Sequence, residues 1–203
     1  MGTTDRLVSF FIKFPGIGLR QARRFVYFLL SEDQERVDEF ISLLQKLKAE
    51  IRQCAMCYRF FEEEKKEVEI CLLCAKNRNS TVLIVVEKDI ELENIQKGDA
   101  YSGVYFVLGG LFSPLTKESP ARIKELIERV RTGVSQKKLK EVIVALSAHP
   151  NGDYTTIHIK NALAPLSKKY GLKISTLGRG MSTGSELEYS DAETIKYALA
   201  NRK

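Results

Sequence analysis

Cysteine is absent from this chain outside positions 54 to 74, and histidine occurs only twice, as His149 and His158. No run approaches the ~20 apolar residues of a membrane-spanning helix. Met1 to Phe14 lacks the uninterrupted apolar segment and small-residue cleavage site of a secretory signal. A reducing, cytoplasmic setting is therefore expected, where paired disulfides are rare. No G-x-x-x-x-G-K-[ST] pattern exists, which removes a P-loop nucleotide site. His149 has no recognisable Ser or Cys nucleophile beside it, and His158 falls within a helical pattern, so a His-activated nucleophile finds little support.

What is present begins with those four cysteines. Cys54, Cys57, Cys71 and Cys74 form two C-x-x-C pairs separated by 13 residues. Each pair can turn two thiolates toward one ion, and two pairs complete the tetrahedral site that Zn2+ prefers. Four thiolates leave no position for water, so the expected metal, one Zn2+ per chain, is structural. Iron is the rival occupant, because thiolate-only sites also accept it. The intervening Tyr58 to Ile70 is rich in Glu and Lys and has little to pack without a metal.

The formal charge of +6 and pI near 9.1 are modestly basic, and the distribution matters more than the total. Residues 1 to 30 hold Arg6, Lys13, Arg20, Arg23 and Arg24 against Asp5 alone, whereas Ser31 to Gln53 is net acidic. Helical periodicity from Asp5 to Phe14 is broken by Phe14-Pro15-Gly16-Ile17-Gly18, after which Ala22, Phe25, Val26, Leu29 and Leu30 mark a second helix. Two short helices joined by G-x-G resemble a helix-hairpin-helix. There Gly16 and Gly18 let backbone N–H groups approach a phosphate, while Lys13, Arg20, Arg23 and Arg24 flank the DNA backbone. A plain helical hairpin with a solvated basic face gives the same pattern. Ser31 and Gln34 suggest a capping box for a third helix whose apolar stripe, Val37, Phe40, Ile41, Leu44, Leu47 and Ile51, suits a core or a partner-helix seam.

Past Cys74 a polar link leads to β-branched runs at Thr81–Val86, Tyr105–Leu108, Glu141–Leu146 and Leu172–Leu177. Helical patterns lie between them, one capped by Ser119 with Pro120 in its first turn, another from about Tyr154 to Tyr170 that Pro165 should kink or end. Such alternation predicts an α/β unit with a mostly parallel sheet, whose chemistry gathers at the carboxyl strand ends. Glu87 with Asp89, and Asn151-Gly152-Asp153, sit at two of those ends. A Glu and a D-x-D pair so placed is how a toprim domain collects Mg2+, but Asn151 is neutral, so Glu87, Asn151 and Asp153 make a weak Mg2+ site or a partner contact. The Gly-rich Gly178 to Gly184 and the strand-like Ser185–Tyr189 precede a last helix with a Ser190/Glu193 capping box. The domain boundaries expected are 1–53 for the helical hairpin, 54–77 for the cysteine finger, 78–175 for the toprim-like α/β domain and 176–203 for the tail.

This order resembles the bacterial recombination mediator RecR family along nearly the full length. The matching residues are Phe14-Pro15-Gly16-Ile17-Gly18 with Arg20 and Arg24, the four cysteines, Val85-Val86-Glu87, Val107-Leu108-Gly109-Gly110, and Arg179-Gly180 through Glu186-Leu187-Glu188-Tyr189. The resemblance implies a non-enzymatic DNA-binding protein acting at gapped DNA, a homo-tetrameric ring-like clamp, RecO-like and RecF-like partners and a nucleoid-associated location. It also implies that the toprim-like acidic loop serves partner binding. The alternative from another class is an Mg2+-dependent toprim nuclease or strand-transfer enzyme using Glu87 and Asp153.

Overall fold

The computed structural model describes residues 1–63, 67–76, 79–99, 101–113 and 121–202. The expected Ser119 and Pro120 helix start lies outside these residues. Contacts divide the chain into two compact units, Met1–Ile51 and Arg52–Lys203.

The first unit contains α1 (Thr3–Phe11), α2 (Leu19–Ser31) and α3 (Gln34–Glu50). Its core is small. Val8, Ala22 and Val26 are buried, with Phe11 and Ile17 packed against them. Ser31 does not cap α3. Its Oγ donates to the Phe28 carbonyl (2.7 Å) at the end of α2, and Asp33 is the cap, accepting from Arg36 N–H (2.9 Å). The Asp33 carboxylate stands where its oxygen can accept from an orphan helix-start amide.

The division between the units falls within β1 (Ile51–Gln53), after Ile51; β1 pairs with β2 (Phe60–Glu62), and α4 (Leu72–Ala75) follows. The body of the second unit is a four-stranded sheet of β3 (Asn79–Val86), β4 (Gly103–Val107), β5 (Glu141–Ala145) and β6 (Lys173–Thr176), in the order β4-β3-β5-β6. Every neighbouring pair is parallel. The two inner strands are continuous apolar runs because helices cover both faces. Alternate residues of β3 divide between them. Leu83 and Val85 pack with α6 (Ile123–Ser135) and α7 (Pro150–Tyr170), while Ile84 and Val86 pack with Leu92 of α5 (Asp89–Lys97).

The sequence gives no clear pattern for α5. With only Leu92 of its residues fully buried, its apolar stripe is too thin to read. Pro165 neither ends nor interrupts α7, which runs on to Tyr170 and stops at Gly171 (φ +68°). Ser185–Tyr189 is not strand-like either: Leu187–Tyr189 is a turn of 3-10 helix. Its neighbour α8 (Ala192–Ala200) is capped by Asp191, which accepts from Glu193 and Thr194 N–H at 2.9 Å each, rather than by Ser190.

Candidate metal centre and nucleic-acid interface

The cysteines come together as their spacing requires. Their four sulfurs lie within 4.8 Å of one another, and Cys57 Sγ is 3.6 Å from Cys71 Sγ. A tetrahedron built on ~2.3 Å metal–thiolate bonds has edges of about 3.8 Å. All four are free thiols, three of them buried. Local backbone turns make the convergence possible. Cys54 N–H donates to the Arg59 carbonyl, Tyr58 N–H donates back to the Cys54 carbonyl (2.9 Å each), and Tyr58 adopts φ +62° to close that loop. On the other arm, Cys71 caps α4 and its N–H donates to Cys54 Sγ at 3.4 Å.

Electrostatics argue for a cation here. Hydrogen bonds from Cys57, Cys71 and Cys74 hold Cys54 far below the ordinary thiol range. In turn Cys57 and Cys74 are pushed far above it, first by their contacts with Cys54. Cys71 is held down as well, to about 6, so two thiols ionise readily and two resist, and four thiolates can coexist only around a positive charge. The cluster can hold a metal ion.

This knuckle covers a sheet edge. Val107 N–H of β4 donates to the Cys57 carbonyl (2.8 Å), Phe60 N–H donates to Asp89 Oδ1 (2.7 Å), and the Tyr58 ring packs on Phe106 at 5.3 Å between centroids. The outer edge of β4 is thereby protected from pairing with another chain.

In the first unit, residues 12–18 form the turn between α1 and α2. Gly16 has φ +74°, which favours glycine. Gly18 is different. It caps α2 with φ −88°, and nothing lies within 4 Å of where its Cβ would stand. Among the described residues no side chain caps the helix, so the first-turn amides of α2 lack a side-chain acceptor. Lys13, Arg20, Arg23 and Arg24 are exposed, and none makes an ion pair among the described residues.

The toprim-like carboxylates are arranged otherwise. Glu87, at the end of β3, is only 7% exposed, and Lys88 Nζ lies 2.8 Å from its Oε1. That contact raises the Lys88 pKa. Asn151 and Asp153 stand in the first turn of α7, not in a loop, because His149 is the helix cap, accepting from Gly152 N–H through Nδ1 at 3.4 Å. Gly152 is needed for close packing: a Cβ there would overlap the Ser147 carbonyl oxygen. Asp153 is bound by Arg179, whose guanidinium also reaches Tyr197 Oη at 3.3 Å and stacks over that ring at 5.2 Å. The Asp153 contact raises the Arg179 pKa. Among the described residues the cysteine cluster is the only group of three or more Cys, His, Asp or Glu close enough to share an ion.

In the sequence Arg179 figures only within the Arg179-Gly180 match and is given no role there; the structure makes it the partner of Asp153. A lone Arg between two glycines carries no periodic or spacing signal.

A closed cysteine centre beside a four-stranded parallel sheet, with its acidic positions at the carboxyl strand ends, defines a toprim-type protein bearing a metal knuckle. The family model described as Toprim domain matches residues 81–178, and that described as RecR, C-terminal matches residues 180–203. The chain is 34% identical over 201 residues to the recombination protein RecR of Chloroherpeton thalassium, covering 98% of this chain and 95% of that one. The RecR proteins of Lactobacillus acidophilus (34% identity; 97% and 94% covered) and Bacteroides fragilis (36%; 98% and 92%) are similar over the same span. This chain belongs to the RecR family of recombination proteins. Among the described residues no helix is long and apolar enough to cross a membrane.

Proposed function

We propose that this protein is a non-enzymatic DNA clamp of recombinational repair, gripping the phosphate backbone through the α1–α2 hairpin. The observation that carries the reading is the start of α2. Its uncapped amides, a glycine that internal packing does not require, and the exposed, unpaired Lys13, Arg20, Arg23 and Arg24 share one short stretch. Backbone N–H groups at a helix start favour an anion, and the missing side chain at Gly18 lets a phosphate come close. Contacts of this kind are independent of base sequence.

The cysteine centre holds Zn2+ as a structural ion in this reading, fixing the knuckle to β4. Of the toprim-like positions, Glu87, Asn151 and Asp153 serve a partner surface rather than Mg2+ chemistry. Two of the three carry a basic neighbour of the same chain and the third is neutral. A homo-tetrameric ring is supported by α3, none of whose side chains is buried. Phe40, Leu44 and Leu47 are 42%, 48% and 55% exposed along one stripe, a face that a second helix would cover. Membership of the family supports RecO-like and RecF-like partners and action at gapped DNA as part of this reading.

Fluorescence anisotropy on gapped duplex tests the hairpin. Arg20→Glu with Arg24→Glu should abolish binding while light scattering shows an unchanged assembly. Wild-type titrations for the double variant would refute the assignment.

A further inference from the structure

The α/β unit carries a second basic region that the hairpin does not explain. From Arg129 to Lys140 the chain holds five cations, Arg129, Arg131, Lys137, Lys138 and Lys140, of which Arg131 is paired with Glu128 (2.7 Å) just before the run. The fold puts these residues at the amino end of the sheet, opposite Glu87 and Asp153. Lys140 N–H donates to the Thr81 carbonyl at 2.8 Å as the chain enters β5, and Lys138 N–H donates to the Gly133 carbonyl at 3.1 Å. At the centre of the region is a cleft of about 210 Å³ between the knuckle, at Cys74, and the end of α6. Lys76, Arg129 and Lys138 line it, with Thr132 and Gln136 as neutral donors.

Arg129 is half-buried, yet has neither an ion pair nor a hydrogen bond among the described residues. A partly buried guanidinium with no partner of its own can take an external anion with little competition. Helix-end electrostatics does not account for Arg129, which lies six residues before the final Ser135 of a helix whose last turn holds no cation.

We propose that this cleft is a second phosphate-binding contact for the DNA backbone, with Arg129 and Lys138 as its principal groups. The inference rests on the DNA-binding reading above. A nucleic acid suits the surface better than an acidic protein does. Protein interfaces are depleted in Lys and built on apolar anchors, whereas no large hydrophobic side chain from 129 to 140 is exposed.

Salt titration separates the contacts. Each phosphate neutralised adds about 0.9 to the slope of log Kd against log salt on duplex DNA. Arg129→Gln with Lys138→Gln should therefore lower the slope by about two per bound chain, with metal content and melting temperature unchanged. Should that variant fail to fold, Lys138→Glu alone, at an exposed position, should lower it by about one. A folded variant with the wild-type slope would overturn the proposal, assigning the cleft instead to an acidic protein or to offsetting the thiolate charge of the knuckle. Loss of binding in the Arg20/Arg24 variant alongside that result leaves the clamp reading standing. Absence of salt-dependent DNA binding by the wild-type protein brings down both.

Discussion

Two glycines one residue apart do different work. Gly16 is set by its own backbone, and Gly16→Ala should cost about 1 kcal/mol in a denaturant melt because φ is positive there. Gly18 has a negative φ and open space where a Cβ would stand, so its own packing does not require glycine. Gly18→Ser supplies the side-chain cap that α2 lacks, so stability should hold or rise by a few tenths of a kcal/mol. DNA affinity should fall, because the new hydroxyl competes with phosphate for the same amides. Undiminished affinity in Gly18→Ser would mean that the α2 amides do not touch DNA. Arg179 is the tail's anchor. Its side chain is 31% exposed and that of Asp153 44%, so solvent screens the pair and Arg179→Ala should cost no more than about 1 kcal/mol globally. Locally the effect should be larger. The Asn201 side chain donates to the Arg179 carbonyl at 2.7 Å, and α8 leans on the same residue through Tyr197. Faster hydrogen exchange across Ala192–Ala200 is the expected readout.

Among the elements, the knuckle depends most on what it binds. Its own core is little more than the cysteines with Met56, Phe61 and Leu73 against them, and its hold on the sheet runs through Cys57, Tyr58 and Phe60. Removing the metal with a strong chelator, or substituting Cys71→Ser, should free these contacts and uncover the edge of β4. Near-ultraviolet circular dichroism should lose the Tyr58 signal, and the protein should become prone to aggregate through that strand. Acidification should act in the same direction, since protonated thiols do not ligate. A folded, monodisperse metal-free protein would refute the structural role. The helices also mark where pattern reading fails. Pro165 breaks helices in general, but here it lies on an exposed face of α7 while Ile159 and Leu163 anchor the same helix in the core. Burial outweighs one missing hydrogen bond.

For the whole molecule, the question is what covers α3. Leu44→Glu with Leu47→Glu changes side chains already exposed within the chain, so its own fold should survive. Light scattering should nevertheless register dissociation of the assembly. An assembly of undiminished mass would remove α3 from the interface. Dissociation should also weaken DNA binding, since fewer linked chains neutralise fewer phosphates at once.

The cysteine spacing, the G-x-G break and the strand–helix alternation were readable in the chain because each depends on near neighbours: ligand pairs, turn residues and apolar periods. Much of the candidate site was therefore legible, including Cys54, Cys57, Cys71, Cys74 and the arginines of α2. Partnerships across long separations were not. Nothing in Gly178-Arg179-Gly180 points 26 residues back to Asp153, or draws Asp89 to Phe60, and Arg129 looks like any charged helix residue until folding half-buries it without a counter-ion. Short-range chemistry wrote the metal knuckle and the hairpin; only three-dimensional packing decided which carboxylates are already occupied and which cations are left free, because desolvation and ion pairing depend on distance in space.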